Sequence, residues 1–248
     1  MVLTERQEDI LKYLKKNKRS KVNDLAKIMY VSPATIRRDL EEMSKLGLLE
    51  RNHGGAVILQ NSDEISIYVR LTSNLKSKEE VSILASRLDI PFRTIFIDNS
   101  STAYNWAIHT NLSHKTVFTN SIVLANELSK LEDINVVLMG GMLSYNSNSL
   151  TGPITNNLLS SFHFDLYVCS CTSFSLDGIY ESSIEQSTIK QIAKNNSTKS
   201  ILLVDKTKFN KKSTYKTYDA IDFDYVYTNS DSEMILPYVQ KVFNIINK

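Results

Sequence analysis

The sequence predicts two folds in one chain: a small helical unit with a β-hairpin over residues 3–58, and an α/β domain with a mostly parallel sheet over 78–248, with 59–77 as linker. Three observations carry that division. Residues 1–59 hold twelve Lys and Arg against eight Asp and Glu, and the remainder hold 17 against 19, so a basic front precedes a slightly acidic body. The front shows apolar residues at helical spacing with capping signals, then a Gly-Gly pair. From Lys78 short apolar runs alternate with helical segments, as buried parallel strands with covering helices require. A length of 248 residues accommodates two domains, and 42% hydrophobic with 23% charged residues is a globular composition.

Thr4 followed by Gln7 has capping-box spacing, and Ile10, Leu11 and Leu14 continue as the stripe of a first helix. A second helix is expected from near Asn23, carrying Leu25, Ala26 and Ile28 and stopping around Met29-Tyr30. Ser32-Pro33 opens a third, with serine as cap and proline in the first helical position. Ile36, Leu40 and Met43 mark its buried face, and Gly47 ends it. Leu48 to Leu59 reads as two short strands around a Gly54-Gly55 turn. Residues 60–77 are polar and irregular, with Ile65 and Val69 isolated. Beyond them helices are expected from 78, 102, 121, 153, 184 and 232. Strands are expected at Thr94–Ile97, Thr116–Phe118, Asn135–Met139, Leu166–Ser170, Ile201–Val204 and Tyr225–Thr228. No internal repeat or low-complexity tract interrupts this order.

Two short helices across a tight turn, the second rich in arginine, have the form of a helix-turn-helix. Ala26 is small where the helices would cross, Val31 can plug the turn, and Thr35, Arg37 and Arg38 fall on the exposed side. Such a helix fits the major groove of DNA, where arginine forks to guanine and threonine meets a thymine methyl or a phosphate. The Arg51-Asn52-His53-Gly54-Gly55 hairpin would be a wing against the backbone. The run Ser32-Pro33-Ala34-Thr35-Ile36-Arg37-Arg38-Asp39-Leu40, then Gly47-Leu48-Leu49 and His53-Gly54-Gly55-Ala56, resembles the DeoR family of bacterial transcriptional regulators. That family's pattern runs roughly V-S-x-x-T-I-R-R-D-L and ends in H-G-G-A. The expected contacts to double-stranded operator DNA are Ser32, Thr35, Arg37, Arg38, Arg51, His53, Gly54 and Gly55. One departure stands in the turn, where Tyr30 replaces the family's usual glycine.

In open parallel sheets ligands bind beyond the carboxyl ends of the strands. Reading each expected strand onward gives Asp98-Asn99-Ser100-Ser101-Thr102, Thr119-Asn120-Ser121, Gly140-Gly141, Thr172-Ser173 and Asp205-Lys206-Thr207-Lys208. Hydroxyls and amides at helix starts, with a lysine, suit a small anion, although each loop alone is equally an ordinary cap. The DeoR resemblance extends over nearly the whole chain. Arg70 and Lys78 fit its R…E-K stretch, Asp98 to Thr102 its D-x-G-T-T, Thr119-Asn120-Ser121 its T-N-S, and Gly140-Gly141 its G-G. Thr151-Gly152, Asp165, Gly178 and Glu185 fall in register, as does Asp205 to Phe209 against D-x-S-K-F. The resemblance implies a domain similar to sugar-phosphate isomerases that binds a phosphorylated sugar. The expected effector residues are Asp98, Ser100, Ser101, Thr102, Asn120, Gly140, Gly141, Glu185, Asp205 and Lys208. Ser100, Cys169 and Thr172 stand where the family has glycines, so the ligand loop is altered.

Other chemistry is thinly supported. Cys169-Ser170-Cys171 with His163 lacks further metal ligands, so neither metal nor cofactor is expected, and the cysteines read as small strand residues. His53 belongs to the wing, and with His109 and His114 it forms no catalytic spacing. Trp106 reads as helix core and Lys211-Lys212 as a solvated turn. No phosphate-cradling glycine motif is present. No apolar run approaches a membrane span, the start lacks a secretory signal, and the cytoplasm is the expected location. The favoured function is a repressor of carbohydrate-metabolism genes acting as a homodimer or homotetramer. Two rivals stay open: an isomerase-like enzyme using Glu185, Asp205 and Lys208, and a regulator that answers to a protein partner.

Overall fold

Thr4 caps the first helix in both directions: its hydroxyl accepts from the Gln7 amide at 3.3 Å, and the Gln7 side chain accepts from the Thr4 amide at 3.0 Å. That helix, α1, spans Glu5–Asn17 and ends at Lys18, whose φ of 68° is left-handed. The structure, a computed structural model, describes residues 3–46, 48–52, 54–58, 65–87, 89–219, 222–231 and 245–246. The expectations for Gly47, His53, residues 59–64 and the helix from 232 lie outside the described residues. The chain divides into two units, Met1–Ser73 and Asn74–Lys248.

In the first unit α1 is followed by β1 (Arg19–Lys21), α2 (Val22–Ile28), α3 (Pro33–Lys45), β2 (Leu49–Asn52), β3 (Gly55–Ile58) and α4 (Ile67–Thr72). Burial follows the helical period of the sequence. Ile10, Leu14, Leu25, Ile36, Leu40 and Met43 are all at most 1% exposed and share one core with Ala56. Burying each such side chain is worth about 1.5–3 kcal/mol. α4 lies within the stretch read as linker, and its Val69 joins this core. β1 carries no apolar residue to announce it; it forms along the free edge of β3, giving the antiparallel order β1-β3-β2. Gly55 belongs to that ladder rather than to the turn, because a Cβ there would lie 2.0 Å from the Ser20 carbonyl oxygen.

Two polar ties lock α1 to α3. Arg6 donates to Asp39 through Nε at 2.6 Å and Nη2 at 3.1 Å, and Gln7 Nε2 donates to Glu42 at 2.8 Å. The buried acid of the Arg37-Arg38-Asp39 run is therefore structural. Tyr30 takes φ 53° between α2 and α3 and is 94% exposed. A left-handed side chain costs about 1–2 kcal/mol, and the extra chain entropy of glycine returns about 0.5–1 kcal/mol of that. Tyr30→Gly is expected to raise stability by about 0.5–1 kcal/mol, read as a higher urea midpoint at unchanged slope. A lower midpoint would show that the tyrosine ring packs more tightly than its exposure indicates.

In the second unit α5 (Leu75–Ser86) leads to β4 (Thr94–Ile97), α6 (Ser101–His109), β5 (Thr116–Thr119), α7 (Ile122–Leu128) and β6 (Asn135–Leu138). The hairpin β7 (Met142–Ser144) and β8 (Ser149–Thr151) precedes α8 (Pro153–Ser160), β9 (Phe164–Ser170), β10 (Ser173–Ser175) and β11 (Gly178–Glu181). α9 (Ile184–Asn195), β12 (Ser197–Val204), β13 (Tyr215–Tyr218), β14 (Tyr225–Thr228) and β15 (Ile245–Ile246) follow. Seven strands pair in the order β15-β14-β12-β9-β4-β5-β6, all parallel. All six expected strands are among them, with β9 and β12 starting earlier than their apolar runs. The small antiparallel sheets β7-β8 and β10-β11-β13 were not expected.

Strand alternation divides the core. Ile95, Ile97, Leu166, Val168, Ile201 and Leu203 pack with Trp106 and Leu124 on one face, and Phe96, Tyr167, Cys169, Leu202 and Val204 pack with Ile189 on the other. Burial pushes both thiols up, Cys171 to about 12, which leaves them as small protonated side chains. At the amino end Asp165 Oδ2 accepts from the Arg93 and Thr94 amides at 2.8 and 2.9 Å, tying β9 to β4. The Thr94 bond, then that of Arg93, holds the Asp165 carboxyl below its usual 3.8. A depressed carboxylate contributes stability that is present in full above the unfolded value and lost as pH falls through the folded one. The acid slope of urea stability below that pH is therefore expected to be shallower in Asp165→Asn than in wild type; an equal slope would place the acid sensitivity elsewhere.

Chain order reverses between β4 and β9. From β4 the sheet grows through β5 and β6 on one side, and from β9 through β12 and β14 on the other. At such a switch point the loops leaving adjacent strands part to opposite sides and open a crevice at their carboxyl ends.

Candidate nucleic-acid interface and ligand site

In the first unit Ser32 Oγ accepts from the Thr35 amide at 3.1 Å and lies 2.9 Å from the Thr35 hydroxyl, while Pro33 takes the first helical position. With Ile36, Leu40 and Met43 turned to the core, Arg37 and Arg38 are exposed, and neither pairs with a carboxylate among the described residues. Arg51 on β2 lies 3.8 Å from Glu41, a surface pair worth less than about 1 kcal/mol, so little holds it from a competing anion. Gly54 is exposed, and its carbonyl accepts from the Val22 amide at 2.8 Å. β1 adds two exposed cations, Arg19 and Lys21, which the sequence reading did not single out; the basic run from Lys18 to Lys21 was the available signal.

In the second unit the switch point gathers charge. Lys190 on α9 is buried and donates to Asp98 Oδ2 at the end of β4, and its Nζ lies 3.5 Å from Glu181 Oε1 at the end of β11. Burial alone would lower the Lys190 ammonium, but the two carboxylates outweigh it and hold it above the ordinary lysine value. Asp98 Oδ1 also accepts from the Ser100 amide at 3.0 Å and hydroxyl at 2.6 Å, and Thr172 Oγ1 donates to Glu181 Oε2 at 2.7 Å. Two of the residues expected to be glycine in this family thus place hydroxyls on the two carboxylates that flank Lys190. Ser100 sits at φ −75° as the cap of α6, a conformation open to any residue.

The β12 loop meets the end of β9 through Lys208. Lys208 Nζ donates to the Cys171 carbonyl. Asp205 Oδ1 accepts from the Thr207 amide at 3.1 Å, while its buried Oδ2 has no hydrogen-bond partner among the described residues. Ser101 and Thr102 form the buried first turn of α6, with Thr102 Oγ1 likewise unpartnered among them. Asn120 Nδ2 donates to the Leu150 carbonyl at 3.2 Å.

Three expected effector residues are placed differently. The Gly140 carbonyl accepts from the Thr155 hydroxyl at 2.7 Å. Gly141 has φ 150° and room for no Cβ, which would meet Thr155 Oγ1 at 1.9 Å, so this pair shapes the turn into β7. Glu185 opens on a cleft of about 500 Å³ walled by Met142, Gly152, Pro153 and Ile184. The Ser183 hydroxyl, donating at 2.6 Å, holds its carboxyl below the usual glutamate value. Glu181 and Lys190 were missed by sequence reasoning. The signal was present: Gln186, Ile189, Lys190 and Ala193 share one helical face, and that face is buried.

A winged helix-turn-helix with free arginines, followed by a parallel α/β domain with polar strand ends, defines a DNA-binding transcription regulator with a sensor domain. The model of the DeoR-like helix-turn-helix domain matches residues 6–62, and that of the DeoR C terminal sensor domain matches 73–230. The chain is similar to the HTH-type transcriptional regulator GolR of Listeria innocua, at 32% identity over 91% of this chain and 90% of that protein. It is 30% identical to the L-fucose operon activator of Haemophilus influenzae, over 90% of this chain and 91% of the relative. It is 28% identical to the glycerol-3-phosphate regulon repressor of Escherichia coli, over 93% and 92%. The chain belongs to the DeoR family of transcriptional regulators. No helix among the described residues is long and apolar enough to cross a membrane.

Proposed function

We propose that the chain is a cytoplasmic repressor of carbohydrate-metabolism genes, not an enzyme, and that a phosphorylated sugar bound at the β4–β9 switch point changes its affinity for operator DNA. What supports this reading is that Asp98, Ser100 and Thr102 follow β4 and Asp205 and Lys208 follow β12 at the carboxyl edge of one sheet, with Lys208 reaching the Cys171 carbonyl beyond β9. Lys190 is committed to two carboxylates, whereas Lys208 donates to a neutral carbonyl, so Lys208 is the cation that turns to a phosphate. Ser101 and Thr102 after β4 and Asn120 after β5 lie on the same carboxyl edge of the sheet. Two relatives are named for the genes they control, an L-fucose operon and a glycerol-3-phosphate regulon, which supports a role in carbohydrate-related regulation. The fused helix-turn-helix unit, and relatives that are named as transcriptional regulators, support a non-enzymatic role.

Operator reading by so small a unit calls for paired half-sites and hence a homodimer or homotetramer. The exposed Met142, Tyr145, Ile154 and Ile184 give the second unit an apolar surface for such assembly. The test is fluorescence anisotropy of the full chain on DNA from its own promoter region, with a panel of sugar phosphates. One of them is expected to shift the binding curve, and Lys208→Ala to weaken that response about tenfold or more, by loss of a charge-assisted contact. A response to no sugar phosphate overturns the reading.

A further inference from the structure

The two carboxylates that flank Lys190 are not equivalent. Asp98 is saturated: Oδ1 accepts twice from Ser100 and Oδ2 accepts from Lys190. Glu181 is not. Its Oε2 accepts from Thr172, but Oε1 has no hydrogen bond among the described residues and only the ammonium at 3.5 Å. Glu181 is 6% exposed, so a donor to Oε1 must reach it inside the strand-end loops rather than from open solvent. A buried carboxylate oxygen left in this state accepts only from a donor brought to it.

The chemistry of that donor follows from the charges. Asp98 and Glu181 against Lys190 leave the group one negative charge in excess, so a phosphate is repelled from Glu181 and a neutral hydroxyl is not. Asp205 Oδ2, just past β12, is a second buried acceptor without a partner among the described residues. We propose that Glu181, aimed by Thr172 and held by Lys190, is a specificity-determining residue that accepts a hydrogen bond from a ligand hydroxyl, so that the domain selects polyhydroxylated phosphates over their deoxy analogues. This rests on the sugar-phosphate reading above. Lys190 and Thr172 are positioning residues; Glu181 makes the contact.

Titration calorimetry on the full chain tests it with glucose 6-phosphate and ribose 5-phosphate, the monodeoxy analogues of each, and inorganic phosphate. In wild type, loss of one particular hydroxyl is expected to weaken binding about tenfold or more, as for a hydrogen bond to a charged group. In Glu181→Gln that ratio is expected to fall towards one while inorganic phosphate binds at least as tightly as in wild type. Thr172→Val leaves the three charges in place and removes only the group that aims Glu181. It is expected to reduce the ratio too, and it decides the matter if Glu181→Gln does not fold. An undiminished deoxy penalty in the folded variant, or a wild type with no deoxy penalty, overturns this proposal alone. A wild type that binds none of these phosphates overturns this inference, whereas the sugar-phosphate reading falls only with the whole panel of the anisotropy test.

Discussion

Lys190→Met is expected to destabilise the α/β unit by about 3–5 kcal/mol, the usual cost of removing one partner from a buried ion pair. Methionine fills the volume but leaves Asp98 and Glu181 buried beside each other with no cation between them. The Ser100 and Thr172 hydroxyls remain, and a hydroxyl does not neutralise a charge. Unfolding in urea would show the loss as a lower midpoint, and Lys190→Met with Glu181→Gln is expected to recover a substantial part by removing one stranded charge. A loss below about 1 kcal/mol would mean that solvent screens the cluster despite its burial. The alkaline limb has a definite sign. The folded Lys190 lies above its ordinary 10.5, so its contribution is present in full below that value and is lost only as pH rises through the folded one.

How much of this was legible in the sequence depends on the range of the interaction. The helices α1 and α3 were readable because their signals are local: Thr4 with Gln7, Ser32 with Pro33, and apolar residues at helical spacing. The central strands were readable because a strand buried on both faces is a continuous apolar run, and the half-exposed edge strand β6 because of its Val136-Val137-Leu138 run. β1 was not, since Arg19-Ser20-Lys21 owes its strand to the edge of β3, which lies far along the chain. The same holds within the site. Asp98, Ser100, Asp205 and Lys208 stand at strand ends, where pattern and topology both point. Glu181 and Lys190 come from β11 and α9, and what makes them matter is a pairing with β4 across 92 positions of sequence for the lysine. A lysine on an apolar helical face was the trace it left. The glycine departures show the limit of matching motifs: Ser100 and Thr172 read only as alterations of the ligand loop, and the fold makes both donors to buried acids.

Replacing Arg37 and Arg38 together by alanine is expected to abolish measurable operator preference while leaving the fold intact. Both are exposed and neither pairs with a carboxylate among the described residues, so their removal strands no buried group. The burial of Ile36, Leu40 and Met43 and the Arg6–Asp39 fork set the roll of α3, which fixes the face these two arginines occupy. Each arginine that forks to a guanine is worth about 1–3 kcal/mol of discrimination against the wrong base. One bound only to phosphate instead weakens all sequences alike and flattens the salt dependence by about one ion. Anisotropy titrations at several salt concentrations, on operator and on scrambled DNA, separate these roles for Arg37→Ala and Arg38→Ala singly. The arginine that reads a base loses operator binding more than scrambled binding at every salt; the one that only positions loses both equally. Unaltered operator binding in the double variant would move the recognition surface off α3, with Arg19, Lys21 and Arg51 as the cations next in reach.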